Sequence, residues 1–463
     1  MTLERKVEMT YSRRLGAFVV LIAFNIVVFL ALHVTFYSSS RAHFLTQKRG
    51  HLIGRVNSRL ALERVTHTNS TTFVVLGRER EYRQGDVLTA VIQARDAGGR
   101  PKTYGGDFFR AKLVSVRPRE ASSAGHVTDH GNGTYTVQFP LYFVGGVKVS
   151  IELVHPSEAV KILRCIREVP AKRGYECIFI DFQRGTREER PCFTSQPPGR
   201  PPHQLCDLSR KEANGTWFCE RPDSLPCSAI AACRRNVTEK GKGSSTRLDV
   251  ASEDEMKLFR KPYVESEPLK QDSPRPIDVK ESVSPIFHSL PACPAIAVNK
   301  ELNVAVHYRS HGLPVLGSQW MNISRIRYVV DEVDSIHGGP NTVIVLGLWA
   351  HFTAEPLEMF RARLYAIQNA IRRLLQRSPG TRVFVRTGTT REHKGMSFYL
   401  RGSDWLAYQI TQEIRKIFGP DRSVVVLDTW DMSVCQWEAD DVHPGPAMVD
   451  SQMNMLLSHI CPE

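Results

Sequence analysis

"NTVIVLGLWAHF", Asn341 to Phe352, decides how the second half of the chain is read. Val343, Ile344, Val345 and Leu346 follow one another with no polar alternate. A strand buried on one face alternates apolar and polar residues. A strand buried on both faces does not, and that is the habit of a parallel sheet covered by helices. The flanks agree. "EPLEMFRARLYAIQNAIRRLLQRSPG" sets Phe360, Leu364, Ile367, Ile371 and Leu374 at helical spacing and is stopped by Pro379-Gly380. "TRVFVRTG" reads as a second strand. "GSDWLAYQITQEIRKIFGP" reads as a second helix, with Ser403 or Asp404 as N-cap and Gly419-Pro420 as its stop. "SVVVLDTW" gives a third strand and "MVDSQMNMLLSHI" a final helix. Alternating strands and helices predict an α/β domain over 296–463. Sites in such sheets lie at the carboxyl ends of strands. That sets Gly347 to Phe352, the loop after Arg386, and Asp428 to His443 along one edge.

Further upstream the period changes to two. "TTFVVLG", "GDVLTAVIQARDAGGRPKTYGGDFFRAKLVSV", "DHGNGTYTVQFP" and "GGVKVSIEL" alternate between turn residues, with Tyr135, Val137 and Phe139 on one face. Several such strands over 72–160 predict an immunoglobulin-like β-sandwich. The run from Asp129 to Phe139 followed by Gly145-Gly146 resembles filamin-type repeats. Residues 161–238 read as a disulfide-stapled module. They hold Cys165, Cys177, Cys192, Cys206, Cys219, Cys227 and Cys233, an odd set for which Cys293 is a candidate partner. Cys435 and Cys461 are candidates to pair with each other. No C-x-x-C pair supports a zinc site, and no metal is expected. Residues 239–295 are charged, contain Pro and Ser, and read as a linker.

At the N-terminus, "LGAFVVLIAFNIVVFLALHVTFY" (Leu15 to Tyr37) carries no formal charge. About 20 apolar residues span a bilayer as a helix. The expected layout is a cytoplasmic tail (1–14), a transmembrane signal anchor (15–37) and a stem (38–71). The body would then be lumenal, in a type II protein of the Golgi or cell surface, or secreted if the segment is cleaved. Five N-glycosylation sequons suit that compartment: Asn69, Asn132, Asn214, Asn236 and Asn322. The net charge of +13 is dispersed and no nucleic-acid motif accompanies it, so nucleic acid is not an expected partner. The expected partners are the membrane, through the anchor, and a glycan or cell-surface protein.

Asp440 stands three residues before His443 in "WEADDVHPG". An aspartate that accepts from one imidazole nitrogen fixes the tautomer and leaves the other nitrogen to act as a base. Asp441 is a neighbouring carboxylate that can compete. His351 follows the first strand run and can donate to an anion or a substrate carbonyl. Asp428 and Asp431 read as capping or orienting groups.

The succession of apolar anchor, "GNGTYTVQFPLYFVGGVKVSI", cysteine-rich segment, "NTVIVLGLWAHF", "RSPGTRVFVRTG", "LDTWDMSV" and "DVHPG" resembles the neurexophilin and PC-esterase domain family. The resemblance implies a three-layer α/β domain of the SGNH (GDSL-like) hydrolase kind. It also implies a Ser–Asp–His triad in which Asp440 and His443 supply the last two members, with His351 in the oxyanion or substrate-binding region. Its chemistry would be that of a carbohydrate O-acyl esterase or O-acetyltransferase. No cofactor is expected, apart from an acetyl donor such as acetyl-CoA for a transferase. The family's serine sits in a G-D-S-T-like block after a strand, and no such block is found. "GDVLTA" and "GDFFRA" lie in the sandwich, "GSDW" opens a helix, and "LGSQW" offers Ser318 in a segment that the family carries further downstream. The first strand and helix of the domain are expected to be missing or replaced, as in a spliced product, a faulty gene model or a decayed enzyme. The expectation is a secretory-pathway membrane glycoprotein with an esterase-like domain lacking its nucleophile, acting in glycan or cell-surface recognition. The alternative is an active enzyme that recruits Ser318 or another serine.

Overall fold

The computed structural model describes residues 18–22, 62–117, 121–168, 175–197, 199–235, 253–260, 263, 269–271, 277–279, 296–299, 303–309, 320–325, 327–391, 396–436 and 444–461. The first strand in chain order, β1 (Phe18–Ile22), belongs to the last of three sheets.

The sandwich is built from β2 (Thr72–Leu76), β3 (Val87–Gln93), β4 (Phe108–Arg117), β5 (Ser122–Asp129), β6 (Thr134–Pro140) and β7 (Gly145–His155), ordered β2-β3-β6-β5-β4-β7. Every pair among them is antiparallel. The period-two pattern buries as expected: Tyr135, Val137 and Phe139 face Leu88, Ile92, Leu113 and Ile151 in one core. The strand missed from sequence is β5, "SSAGHVTD". It has no apolar alternation because it lies against large side chains of its neighbour. A Cβ on Gly125 would sit 2.4 Å from the Phe139 ring. Helix α1 (Ser157–Glu168) follows the sandwich.

The cysteine-rich module is an antiparallel sheet of β8 (Tyr175–Asp181), β9 (Thr186–Phe193), β10 (Leu205–Asp207), β11 (Phe218–Glu220) and β12 (Ile230–Arg235). Three disulfides staple it. Cys177–Cys233 ties β8 to β12, Cys192–Cys219 ties β9 to β11, and Cys206–Cys227 pins β10. They close loops of 21 to 56 residues. In the chain-entropy account each such closure stabilises the fold by about 3–4 kcal/mol. The seventh cysteine, Cys165, is exposed on α1 and unbonded, and Cys293 lies outside the described residues. The expected Cys435–Cys461 pair does not form. Cys435 turns instead toward Ser122 and Lys112 of the sandwich, where burial pushes its thiol above the usual range.

The segment read as a linker contributes packed pieces. Helix α2 (Glu253–Lys257) leads into Leu258 and Phe259, and all three of Met256, Leu258 and Phe259 are buried. Strands β13 (Lys270–Gln271) and β14 (Ile277–Val279) add to the two ends of the sandwich sheet. A few apolar residues clustered inside a polar stretch escape an average taken over the whole of it.

The last unit comprises β15 (Ile296–Asn299), β16 (Val304–Arg309), β17 (Met321–Asn322), α3 (Val329–Asp334), β18 (Thr342–Gly347), α4 (Leu357–Arg377), β19 (Arg382–Arg386), α5 (Met396–Gly402), α6 (Asp404–Phe418), β20 (Val424–Leu427), α7 (Trp430–Val434) and α8 (Pro446–Ile460). Its sheet runs β15-β16-β1-β18-β19-β20, parallel except for β15. Both faces are covered. Ile344, Leu346, Val383 and Val385 pack on α4 and α6, while Val343, Val345, Phe384 and Leu427 pack with Leu456 of α8. Ser403 caps α6 by accepting from Leu406 N. The short β17 pairs with β12 and so joins the disulfide module to this unit. One continuous core links the two, from Tyr175, Phe179 and Trp217 to Tyr328, Val330 and Phe360.

The expected membrane helix over Leu15–Tyr37 is corrected within these described residues. Phe18–Ile22 is a strand, paired on one side with β16 and on the other with β18. Among the described residues no helix is long and apolar enough to cross a membrane, and the remainder of 15–37 lies outside them. The physical reason lies in the residues themselves. "FVVLI" is apolar and β-rich, and a central parallel strand asks for that composition as readily as a bilayer does.

Candidate functional site at the carboxyl edge of the parallel sheet

Numbering only the parallel strands in chain order gives β1, β16, β18, β19 and β20, and their spatial order becomes 2-1-3-4-5. That is a doubly wound order whose switch point lies between the first and third strands, and ligands bind in the crevice there. In this chain the switch point falls between β1 and β18.

The residues after β18 are Leu348, Trp349, Ala350 and His351. Trp349 is buried, and His351 sits half-buried in the turn that follows. The segment after β19, Thr387 to Arg391, is held by a ladder of hydroxyls. Thr387 Oγ1 donates to Asp428 Oδ1 at 3.1 Å and accepts from Thr429 N at 2.9 Å. Gly388 N donates to Thr411 Oγ1, Thr390 N to Ser433 Oγ, and Arg391 N to Asp404 Oδ1. Asp428 also receives Arg415 at 2.6 Å and caps Trp430 N, which is an orienting role. Asp431 faces Arg415 and His126 of the sandwich, and burial raises its carboxyl above the usual range.

Two polar groups at this edge stay unmatched among the described residues. Thr389 Oγ1 and Trp349 Nε1 are buried without a hydrogen-bond partner. The Arg391 guanidinium lies 5.0 Å from the centre of the Trp349 ring. A buried arginine stacked on an indole beside a hydroxyl and an N–H suits polar, hydroxyl-bearing or anionic ligands. Sequence reading passed over Trp349, Thr389 and Arg391. For Thr389 and Arg391 the signal was the run "RTGTTR", three threonines between two arginines at a strand end.

Asp440, Asp441 and His443 lie outside the described residues, as do Ser318 and Asn236. The described residues on either side of the triad-like pair are Gln436 and Pro444. Asn69, Asn132, Asn214 and Asn322 are all exposed.

A family model described as Neurexophilin matches residues 54–237. A second, described as "NXPE family member 4-like, C-terminal domain", matches 281–461. The chain belongs to the neurexophilin and PC-esterase domain (NXPE) family. Both halves of that family's architecture are present in one chain, in order, and only 238–280 separates the two matches. The NXPE assignment and the three disulfides make this a protein of the secretory pathway, since such bonds persist in an oxidising compartment. Among solved structures, the Lin-41 filamin domain crystal structure is similar at 15% identity, over 19% of this chain and 82% of that one, with a TM-score of 0.15. That likeness is too slight to bear on the fold, and the sandwich of this NXPE chain rests on its own strand pairing.

Proposed function

We propose that this chain is a glycoprotein whose C-terminal domain keeps the frame of an SGNH-type esterase, lacks its serine, and serves recognition of glycans or cell-surface glycoproteins. One observation carries the reading. In esterases of this kind the nucleophile follows the first parallel strand. The strand in that position here is Phe18–Ile22, beside β18 at the switch point. After Ile22 the sequence runs Ala23, Phe24, Asn25 and Ile26, and no Ser, Thr or Cys occurs before Thr35. Loss of a nucleophile removes orders of magnitude of rate while binding contacts survive. The Trp349, Thr389 and Arg391 edge supports retained binding of hydroxyl-rich ligands. While Phe18–Ile22 lies in the sheet it cannot lie in a bilayer, so this state of the chain is read as lumenal or secreted.

The test is a serine-reactive fluorophosphonate probe on the full chain. No labelling is expected. Labelling that disappears with His443→Ala would overturn the reading in favour of a working carbohydrate O-acyl esterase or O-acetyltransferase.

A further inference from the structure

The sequon Asn214-Gly215-Thr216 lies where the disulfide module meets the α/β unit. Asn214 has a left-handed backbone, φ 46°. Its Nδ2 donates one hydrogen to the Ala362 carbonyl of α4 at 2.8 Å. Gly215 passes so close to the buried Tyr328 that a Cβ would stand 2.3 Å from the ring. Thr216 Oγ1 donates to the Thr194 carbonyl at 2.5 Å. The other described sequons are looser. The amide oxygens of Asn132 and Asn322 accept from Thr134 and Ser324, and no Nδ2 hydrogen bond is made among the described residues.

Beside Asn214 opens a cleft of about 560 Å³. Asn214 is one of its walls. The ion pairs Arg210–Asp331 and Arg373–Asp334 and the amide of Asn369 line it as well, with Ala366 and Val330 largely buried behind them. Carboxylates accept from hydroxyls, and guanidinium and amide groups donate to them, a mixture that suits a hydroxyl-rich sugar ring. An asparagine joined to a sugar keeps one N–H, and that hydrogen is all that the bond to Ala362 requires.

We propose that this cleft seats the first sugars of an N-linked glycan on Asn214, which then bridges the disulfide module and α4. Attachment must precede docking, because the docked Thr216 hydroxyl is engaged. Chain order allows it: Asn214 emerges 148 residues ahead of Ala362. The inference needs only the secretory compartment, not the esterase-like reading above.

The test takes the full chain from a secretory host. Glycopeptide mapping is expected to find Asn214 occupied. Under native conditions an N-glycanase should release the Asn214 glycan roughly tenfold more slowly than those on Asn132 and Asn322, a difference of about 1.4 kcal/mol in protection. Asn369→Ala with Arg373→Ala should remove that protection without touching the sequon. A bare Asn214 in the mature protein would overturn the proposal. So would release at Asn214 as fast as at Asn132.

Discussion

Asp107 offers the sharpest physical test of the sandwich. Its side chain is buried where the strands close onto α1. It accepts from Thr66 Oγ1 at 2.9 Å, from Tyr135 Oη at 3.0 Å and from Ser157 N at 2.7 Å. Burial outweighs these bonds and pushes its carboxyl up to about 6 from the ordinary 3.8. An acid with a raised folded pKa holds its proton more tightly when folded. Its stabilising contribution is therefore complete below the unfolded value and is lost as pH rises through about 6. A shift of about two units is worth about 3 kcal/mol, at about 1.4 kcal/mol per unit. The perturbation is Asp107→Asn. The neutral amide fills the same space, its oxygen can take the Ser157 N–H, and the hydroxyls of Thr66 and Tyr135 can rotate to accept from its nitrogen. The assay is urea unfolding of wild type and variant at steps between pH 4 and pH 7, with the disulfides intact. The stability of wild type relative to the variant should fall by about 2.4 kcal/mol across that range, most of the full effect. A difference that stays flat from pH 4 to pH 7 would refute the reasoning, because a burial-raised carboxyl has no way to be silent there.

Three further outcomes follow from packing and register. Gly215→Ala drives a Cβ into the Tyr328 ring and should destabilise by about 1–3 kcal/mol, read as a lower Tm. Arg110→Ala leaves Asp404, fully buried at 0% exposure, without the guanidinium that meets it at 2.6 Å. The loss should approach the ~3–5 kcal/mol of a broken buried pair, and adding Asp404→Asn should recover part of it in a denaturant titration. Val20 is in register with His307 of β16. Val20→Cys with His307→Cys should cross-link on oxidation, as neighbouring parallel strands lie about 4.8 Å apart. Val20→Cys alone should not, and no cross-link in the double variant would show that β1 is not in the sheet.

Sequence reading found elements wherever periodicity was set by burial. The alternation of β6 and β7 and the helical spacing of α4 were visible because one face of each meets a core. It failed where a neighbour, not the segment itself, supplies the apolar surface. The small residues of β5 lie under Phe139, and α2 with the turn after it hides Met256, Leu258 and Phe259 in a charged stretch. The carboxyl edge of the sheet was legible from strand order alone, and His351 stands at that edge in the turn after β18. Trp349, Thr389 and Arg391 were passed over, since nothing in the spacing of an arginine shows that it will be buried against an indole 42 positions earlier. The disulfide partners were not legible: seven clustered cysteines permit many pairings, and even strand register does not decide, since Cys219 lies opposite both Cys192 and Cys206 and bonds to Cys192.

The apolar run at the N-terminus carries the deepest ambiguity, and it is a matter of backbone rather than side chains. A bilayer and the centre of a parallel sheet both accept "FVVLI". In a bilayer a segment must satisfy its own N–H and C=O groups, which a helix does alone. In the sheet the same groups need two neighbours, and β16 and β18 provide them. The need is mutual. Without β1 those two strands would each present an unpaired edge in the middle of the sheet, and at the fully buried β18 backbone polar groups left unpaired are costly. The slot therefore favours an extended apolar segment of whatever origin. On the function proposed above, the question of a missing motif becomes one about this strand: Phe18–Ile22 completes the hydrogen-bond ladder between β16 and β18, and its own residues carry no serine.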